Sequence, residues 1–360
     1  SGSTPSQRRW SRPRARLLLL RRKKRTVFKL VTGQPPLPRR KNGTRRETSA
    51  KTQQAVFERS LRARLAPGQH FWDAAGATVD DIRAAVGCFA AKPSVEVFGS
   101  LLQGTSIDGS DVDVRMVFGT VGRSQAVRYL QLLMKALYRP PASRTLRLVE
   151  AILTAKVPIL RVRSLRQGSS IHADVSVGGS QQGACDVAVH DVLECDVRAR
   201  DLVRMVKHWA RQRGLNKAYH GYPSSFSWVL LAIFYLQQLG MLPPVNRRKD
   251  VWKRLGNPPS LQELLRNFLV FCRQIQYGCG MSVTTGKFMP KEDAVLFIEV
   301  PCEKGQNAAR SVRFPQWREV KSHASDTLST LDSQEGHVWS VLGEQKLRDP
   351  HVRAWSSESE

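Results

Sequence analysis

The apolar positions of this 360-residue chain change their spacing part-way along its length. In the first half, short runs read as β-strands because alternate side chains of a strand share a face: Val95-Glu96-Val97-Phe98, then residues 111–118, 157–162 and 171–177. Between them the spacing is helical. Residues 52–65 carry Ala55, Val56, Leu61 and Leu65 and stop at Pro67-Gly68, a second helix is expected around 79–90, and residues 124–138 align Val127, Leu130, Leu133, Met134 and Leu137. From about residue 185 helices dominate. Residues 201–213 put Leu202, Val206, Trp209 and Ala210 on one face and end at Gly214, a favoured stop residue. Ser224 is a good N-cap for a helix that is apolar all round from Phe226 to Leu239, the mark of a buried core helix. Residues 261–274 form a third helix. Beyond Arg310 the pattern fades, and residues 322–335 are polar enough for a loop.

Charge adds a partner to this picture. The formal net charge is +27, and residues 1–51 concentrate it, with 17 Lys and Arg against one acid, Glu47. That segment, with Pro35-Pro36-Leu37-Pro38, reads as a disordered basic arm. Phosphates are the expected counterpart of such a surface, since binding them releases their counterions. Arg21-Arg22-Lys23-Lys24-Arg25 also fits a nuclear signal, and the Arg-rich composition an organelle transit peptide. No apolar run reaches the roughly 18 residues a membrane span needs. The six cysteines contain no CxxC pair, which removes the usual zinc and redox motifs and fits a reducing intracellular compartment, with nucleus, cytoplasm and mitochondrion left open.

The chemistry concentrates in Val97-Phe98-Gly99-Ser100, followed after ten residues by Asp111-Val112-Asp113-Val114. On a strand, Asp111 and Asp113 project to one side while the valines face the core. A later strand, Ile171-His172-Ala173-Asp174, can add a third carboxylate. Three hard oxygen ligands of this kind suit Mg²⁺ or Mn²⁺ in a two-metal site. Gly99 lets the backbone approach a triphosphate and Ser100 adds N–H and hydroxyl donors. A bare DxD most often means two solvated aspartates. The order of these elements, on successive strands of one domain, is what favours the metal reading.

Phe98-Gly99-Ser100 with Asp111-Val112-Asp113 resembles the signature of the polymerase-β-like nucleotidyltransferase superfamily. Val157-Pro158-Ile159-Leu160, the helix from Leu202 to Arg211, Ser224-Ser225-Phe226-Ser227, and the segments 297–303 and 307–310 are similar to motifs of its poly(A) polymerase and terminal uridylyltransferase branch. The match covers roughly residues 52–311, in family order. The resemblance implies an α+β fold: a polymerase-β-like catalytic domain with a mixed sheet and helices at 52–184, then a mostly helical PAP-associated central domain at 185–320, between the arm and a C-terminal tail at 321–360. It implies Asp111, Asp113 and Asp174 as catalytic metal ligands, Lys207 and Arg211 on the triphosphate, Ser225 on the nucleotide, Phe226 stacked on the base, and Glu303 and Gln306 at the base edge. The implied partners are an RNA 3′ end and a ribonucleoside triphosphate, ATP or UTP, with no membrane.

Some positions depart from the family pattern. Val300 stands where an acidic residue is usual, with Glu299 beside it; Cys185-Asp186 stands near an expected Asn-Thr pair; Gln306 replaces a base-selecting histidine of uridylyltransferases, which tilts the expectation toward ATP. Besides a poly(A) polymerase or a terminal uridylyltransferase, the pattern admits an oligoadenylate synthetase or repair polymerase, and a catalytically silent RNA-binding protein of the same fold.

Overall fold

The computed structural model describes residues 45–179, 183–246, 259–291, 293–333 and 338–342. Residues 1–49 and 50–360 are separate units, and the architecture that follows is that of the second. Most of the arm expected at 1–51 lies outside the described residues. Its last seven residues do not match the expectation, because helix α1 (Arg45–Leu65) begins there. Residues 45–51 contain no Gly or Pro, and their Arg, Glu, Ala and Lys all have good helix propensity. Helix α2 (Gln69–Val86) starts ten residues earlier than its apolar spacing suggests, directly after Gly68.

Strands β1 (Ser94–Phe98), β2 (Val112–Phe118), β3 (Leu146–Ile152), β4 (Ile159–Ser164) and β5 (His172–Gly179) form one sheet in the order β1-β2-β5-β4-β3. The β2–β5 pairing is parallel and the others antiparallel, so the sheet is mixed, as expected. Val112, Val114, Met116, Leu160, Val162, Ala173 and Val175 are buried on one face with residues of α2 and of α4 (Arg123–Leu137). The alternate residues of the same strands, Asp113, Asp174, Arg161 and Arg163 among them, occupy the other face. Sequence periodicity missed β3. A bulge between Leu148 and Glu150 interrupts the two-residue repeat that would have revealed it.

The second half is built on α7 (Val197–Gln212) and α8 (Ser225–Gln238), which follow the shorter helices α3 (Gly99–Leu102), α5 (Ala142–Thr145) and α6 (Ala184–Leu193) in the numbering. Ser224 caps α8, its hydroxyl accepting from Ser227 N at 3.1 Å, and every residue from Ser227 to Gln237 is buried. Trp209 of α7 meets Trp228 of α8 edge to face at 5.8 Å between ring centroids. Both indole N–H groups find partners, Thr327 Oγ1 at 2.9 Å and the Leu215 carbonyl at 3.0 Å, as buried tryptophan requires.

Helix α9 (Leu261–Gln274) has the expected bounds and a capping box between Ser260 and Glu263. A three-stranded sheet, β6 (Cys279–Ser282), β7 (Lys287–Pro290) and β8 (Phe297–Glu299) in the order β7-β6-β8, was not expected; its strands have only three or four residues. The loop expected at 322–335 is instead the second half of α10 (Phe314–Asp332). Its apolar stripe is thin but regular, burying Trp317, Val320, Ala324, Thr327, Leu328 and Leu331 at helical spacing beneath a polar outer face. The short α11 (Val338–Leu342) follows.

Candidate active site

A cleft of about 1070 Å³ opens between the polar face of the large sheet and the helices of the second half. Gly99, Ser100, Asp111, Asp113, Lys207, Arg211, Ser225, Phe226, Glu303 and Gln306 all line it. Ten of the eleven site residues named from the sequence thus face one space. Asp174 does not line the cleft, but the parallel β2–β5 register sets it directly opposite Asp113.

The carboxylates sense one another. Burial, then Asp174 and Asp111, raise the Asp113 carboxyl from 3.8 to about 7, with Asp186 adding to the effect and Lys207 opposing it. Burial and Asp174 also raise Asp111. Two carboxylates held this close in a buried position repel one another, and a divalent cation between them would relieve that repulsion. Asp174 is occupied differently: Arg161 Nε donates to its Oδ1 at 2.9 Å and Nη2 to its Oδ2 at 3.0 Å, a bidentate pair. Among the described residues no three carboxylate, thiol or imidazole groups converge on one metal-sized point. The arrangement therefore brings Asp111 and Asp113 to the cleft and parks the third carboxylate on a guanidinium beside them.

Gly99 also has a neighbour within the protein. Its φ is +64°, and a Cβ placed there would lie 2.1 Å from Asp113 Oδ2. The glycine makes room for the carboxylate. Its N–H donates to Asp186 Oδ2 at 3.1 Å, while Gln103 Nε2 donates to Asp186 Oδ1 at 2.6 Å. Asp186, only 7% exposed, thereby pins the turn that carries Gly99 and Ser100 to the start of α6. Sequence reading placed Asp186 near an expected Asn-Thr pair and did not foresee this role, because its partners lie more than 80 residues away. Removing the carboxylate strands two donors, so Asp186→Ala should cost about 1–3 kcal/mol in urea unfolding. Asp186→Asn, which keeps an acceptor, should lose less.

Three cations of α7 grip the loop between α3 and β2. Arg204 donates to the carbonyls of Gly104 (2.9 Å) and Ser106 (3.2 Å), Lys207 Nζ to that of Thr105 (2.9 Å), and Arg211 Nη1 to that of Asp108 (2.8 Å). Burial lowers the Lys207 amine to about 8 against the pull of Asp113. Both Lys207 and Arg211 stay at the cleft wall, four residues apart on one face.

At the far wall Phe226 is half-buried, unlike the fully buried residues that follow it, so it presents a ring to the cleft. Glu303 and Gln306 are exposed on a turn whose frame is held by other side chains. Asn307 Oδ1 accepts from Ile298 N (3.0 Å) and Ala309 N (2.8 Å), and Asn307 Nδ2 donates to the Leu296 carbonyl (3.0 Å). Glu299 is buried and accepts from Ser282 Oγ and, at 3.2 Å, from Gly305 N. It therefore cannot stand in for the acid missing at Val300. Cys185 sits against the Pro301 carbonyl, and burial, then Cys302, push its thiol up to about 12.

A mixed sheet that brings Asp111 and Asp113 to a cleft bounded by helices agrees with the fold expected from the sequence. Residues 60–181 match the family described as poly(A) RNA polymerase, mitochondrial-like, central palm domain. Among curated proteins, the chain is 27% identical over 282 residues to protein HESO1 of Arabidopsis thaliana, covering 61% of this chain and 52% of that protein. It is 29% identical over 248 residues to poly(A) RNA polymerase GLD2-A of Xenopus laevis (59% and 47%), and 25% identical over 181 residues to terminal uridylyltransferase cid1 of Schizosaccharomyces pombe (47% and 40%). The chain thus spans about half, or less, of the length of these relatives. The structure superposes on MgGTP-bound Cid1 poly(U) polymerase with a TM-score of 0.68 at 18% identity, covering 82% of this chain and 99% of that one. On a variant of mtPAP in complex with ATPγS the TM-score is 0.70 at 19% identity, covering 81% and 72%. The fold is accordingly the one seen in Cid1 and mtPAP.

Proposed function

We propose that this chain adds nucleotides to RNA 3′ ends without a template, with AMP somewhat preferred. The observation that carries this reading is the pairing of Asp113 with Asp174 across β2 and β5, with Asp111 at the same cleft and Lys207, Arg211, Ser225 and Phe226 along its walls. The catalytic domain would run over 52–184 and the central domain over 185–320. In the reaction a new bond forms between the RNA 3′ oxygen and the α-phosphorus, the bond to pyrophosphate breaks, and the hydroxyl proton passes to a neighbouring carboxylate or to water.

Asp111 and Asp113, with Asp174 once it leaves Arg161, would hold Mg²⁺ or Mn²⁺. A divalent ion, when bound, supplies Lewis-acid polarisation of the phosphate and lowers the pKa of the attacking hydroxyl. Lys207 and Arg211 exchange their loop carbonyls for triphosphate oxygens, which are the stronger acceptors. Ser225 hydrogen-bonds the nucleotide, and Phe226 stacks on its base, a contact that contributes about 1–3 kcal/mol. Glu303 and Gln306 offer an acceptor and an amide to the base edge. The absence of a histidine at Gln306 is what favours ATP over UTP.

The test offers ATP, UTP, GTP and CTP separately to the wild-type chain and to Asp111→Ala with one short RNA primer and Mg²⁺. Wild type should produce a ladder, longest with ATP, and the variant none while retaining RNA affinity. A ladder longest with UTP selects the terminal uridylyltransferase reading. The bidentate Arg161–Asp174 pair favours one further reading, a silent RNA-binding protein. That reading is selected if wild type neither extends RNA nor gains thermal stability from Mg²⁺ and ATP.

A further inference from the structure

The polar face of the large sheet extends past the carboxylates to the edge strand, and its residues there are basic. Cross-strand register gives two adjacent rows. The first runs Glu150, Arg161, Asp174, Asp113 from β3 to β2. It holds one cation, Arg161, against three carboxyl groups, two of which Arg161 pairs with, so it offers phosphates no free positive charge. The second runs Arg147, Arg163, His172 from β3 to β5. Because Ala173 pairs with Val112, this row leads on to Asp111, and the His172 imidazole is close enough to act on the Asp111 carboxyl. Arg147 and Arg163 are exposed, and among the described residues neither has an acidic partner. Strands lie about 4.8 Å apart, so the row reaches roughly 10 Å outward from His172.

We infer that the RNA strand leading to the reacting 3′ end crosses the sheet along His172, Arg163 and Arg147, its phosphates paired with the two arginines. This rests on the RNA nucleotidyltransferase reading. The nucleotide takes the side of the carboxylates lined by Gly99, Ser100, Lys207, Arg211 and Phe226, so a primer that presents its 3′ oxygen to the same carboxylates leaves on the opposite side. On that opposite side this row is uncompensated positive charge on an open face. Edge strands do carry charges to prevent pairing with other chains. That purpose explains Arg147 on edge strand β3 but not Arg163, whose strand is hydrogen-bonded on both sides.

The experiment measures binding of a fluorescent single-stranded RNA to the full chain over a salt series, for wild type and for Arg147→Ser/Arg163→Ser. Each phosphate contact on a single strand contributes about 0.7 to the slope of log affinity against log salt. Two lost contacts should flatten the slope by about 1.4 and weaken binding at least tenfold at low salt. In primer extension the KM for RNA should rise while kcat at saturating RNA holds. Stabilisation by Mg²⁺ and ATP should be the same in both proteins, which also reports that the variant is folded. An unchanged slope and unchanged RNA affinity overturn the lane, and aggregation of the variant with that unchanged slope would identify the arginines as edge guards. If wild type shows neither extension nor Mg²⁺-nucleotide binding, the enzymatic reading falls, while the salt slopes still decide where RNA lies.

Discussion

Asp113→Asn should lower the proposed nucleotidyl transfer about a thousandfold and, in the absence of metal, make the protein more stable. Both effects come from one carboxylate. Asp113 is held among Asp174, Asp111 and Asp186 in a buried position, and its carboxyl is raised to about 7. For a carboxylate whose folded pKa lies above its unfolded value, the sign is unambiguous. Its contribution to stability is most favourable below pH 3.8 and is lost as pH rises from there through about 7. At pH 8 the metal-free wild type therefore carries the full penalty of a charge among like charges, whereas asparagine carries none. Each kcal/mol recovered raises Tm by about 1–2 °C in a chain of this size, so a shift of several degrees is expected in scanning calorimetry at pH 8, a smaller one at pH 5 and none below pH 3.8. Adding Mg²⁺ and ATP should stabilise wild type more than the variant. The catalytic loss follows from the several kcal/mol a metal ion contributes to the transition state, which at about 1.4 kcal/mol per tenfold amounts to roughly 10³-fold in kcat. Wild-type turnover by Asp113→Asn, or a lower Tm, would remove Asp113 from the metal site.

Gly99→Ala should be nearly as damaging through geometry alone. A left-handed backbone costs a residue with a Cβ about 1–2 kcal/mol, and the new methyl would meet Asp113 Oδ2 at 2.1 Å. Asp113 cannot stay where it is. Misplacement of a catalytic group by about 1 Å can cost 10²-fold, and that is the loss expected in kcat for primer extension. Gly214→Ala is the control, since Gly214 has a similar φ of +68° with nothing within 4 Å of its virtual Cβ. Both variants should lose the backbone cost in urea, Gly99→Ala the more for its added collision, and only Gly99→Ala should lose activity. Equal activities would mean that Gly99 is retained for the turn and not for the carboxylate.

The parts of the structure that were legible in the sequence are those whose signals are local. The strand with Asp113, the cap at Ser224 and the helix 261–274 each announce themselves within a few residues, by alternation, an N-cap hydroxyl or a capping box. The shared cleft was legible too, because the family motifs carry their own spatial order. What was hidden depends on distant partners or on broken periodicity. Strand β3 lost its alternation to a bulge, and α10 buries six side chains beneath a surface polar enough to pass for a loop. Arg161 gave no sign that it would take both oxygens of Asp174, 13 residues further on, and Asp186 none that it would hold Gly99 from 87 residues away. Glu299 stands beside Val300, where an acid is usual, and the sequence does not show what holds it. Only the location of Ser282 and Gly305 shows that its carboxylate is committed to the frame of the turn.

That frame has an evolutionary corollary. Asn307 and Glu299 fix the backbone of the 300–306 segment from beneath, so the exposed side chains of Glu303, whose one contact is a long one from Cys185 Sγ, and Gln306 carry little of the fold's weight. If they address the base, as proposed, then preference among nucleotides sits on a replaceable tip. A lineage could trade one alphabet for another by drift at two surface codons, leaving the machinery of bond formation untouched.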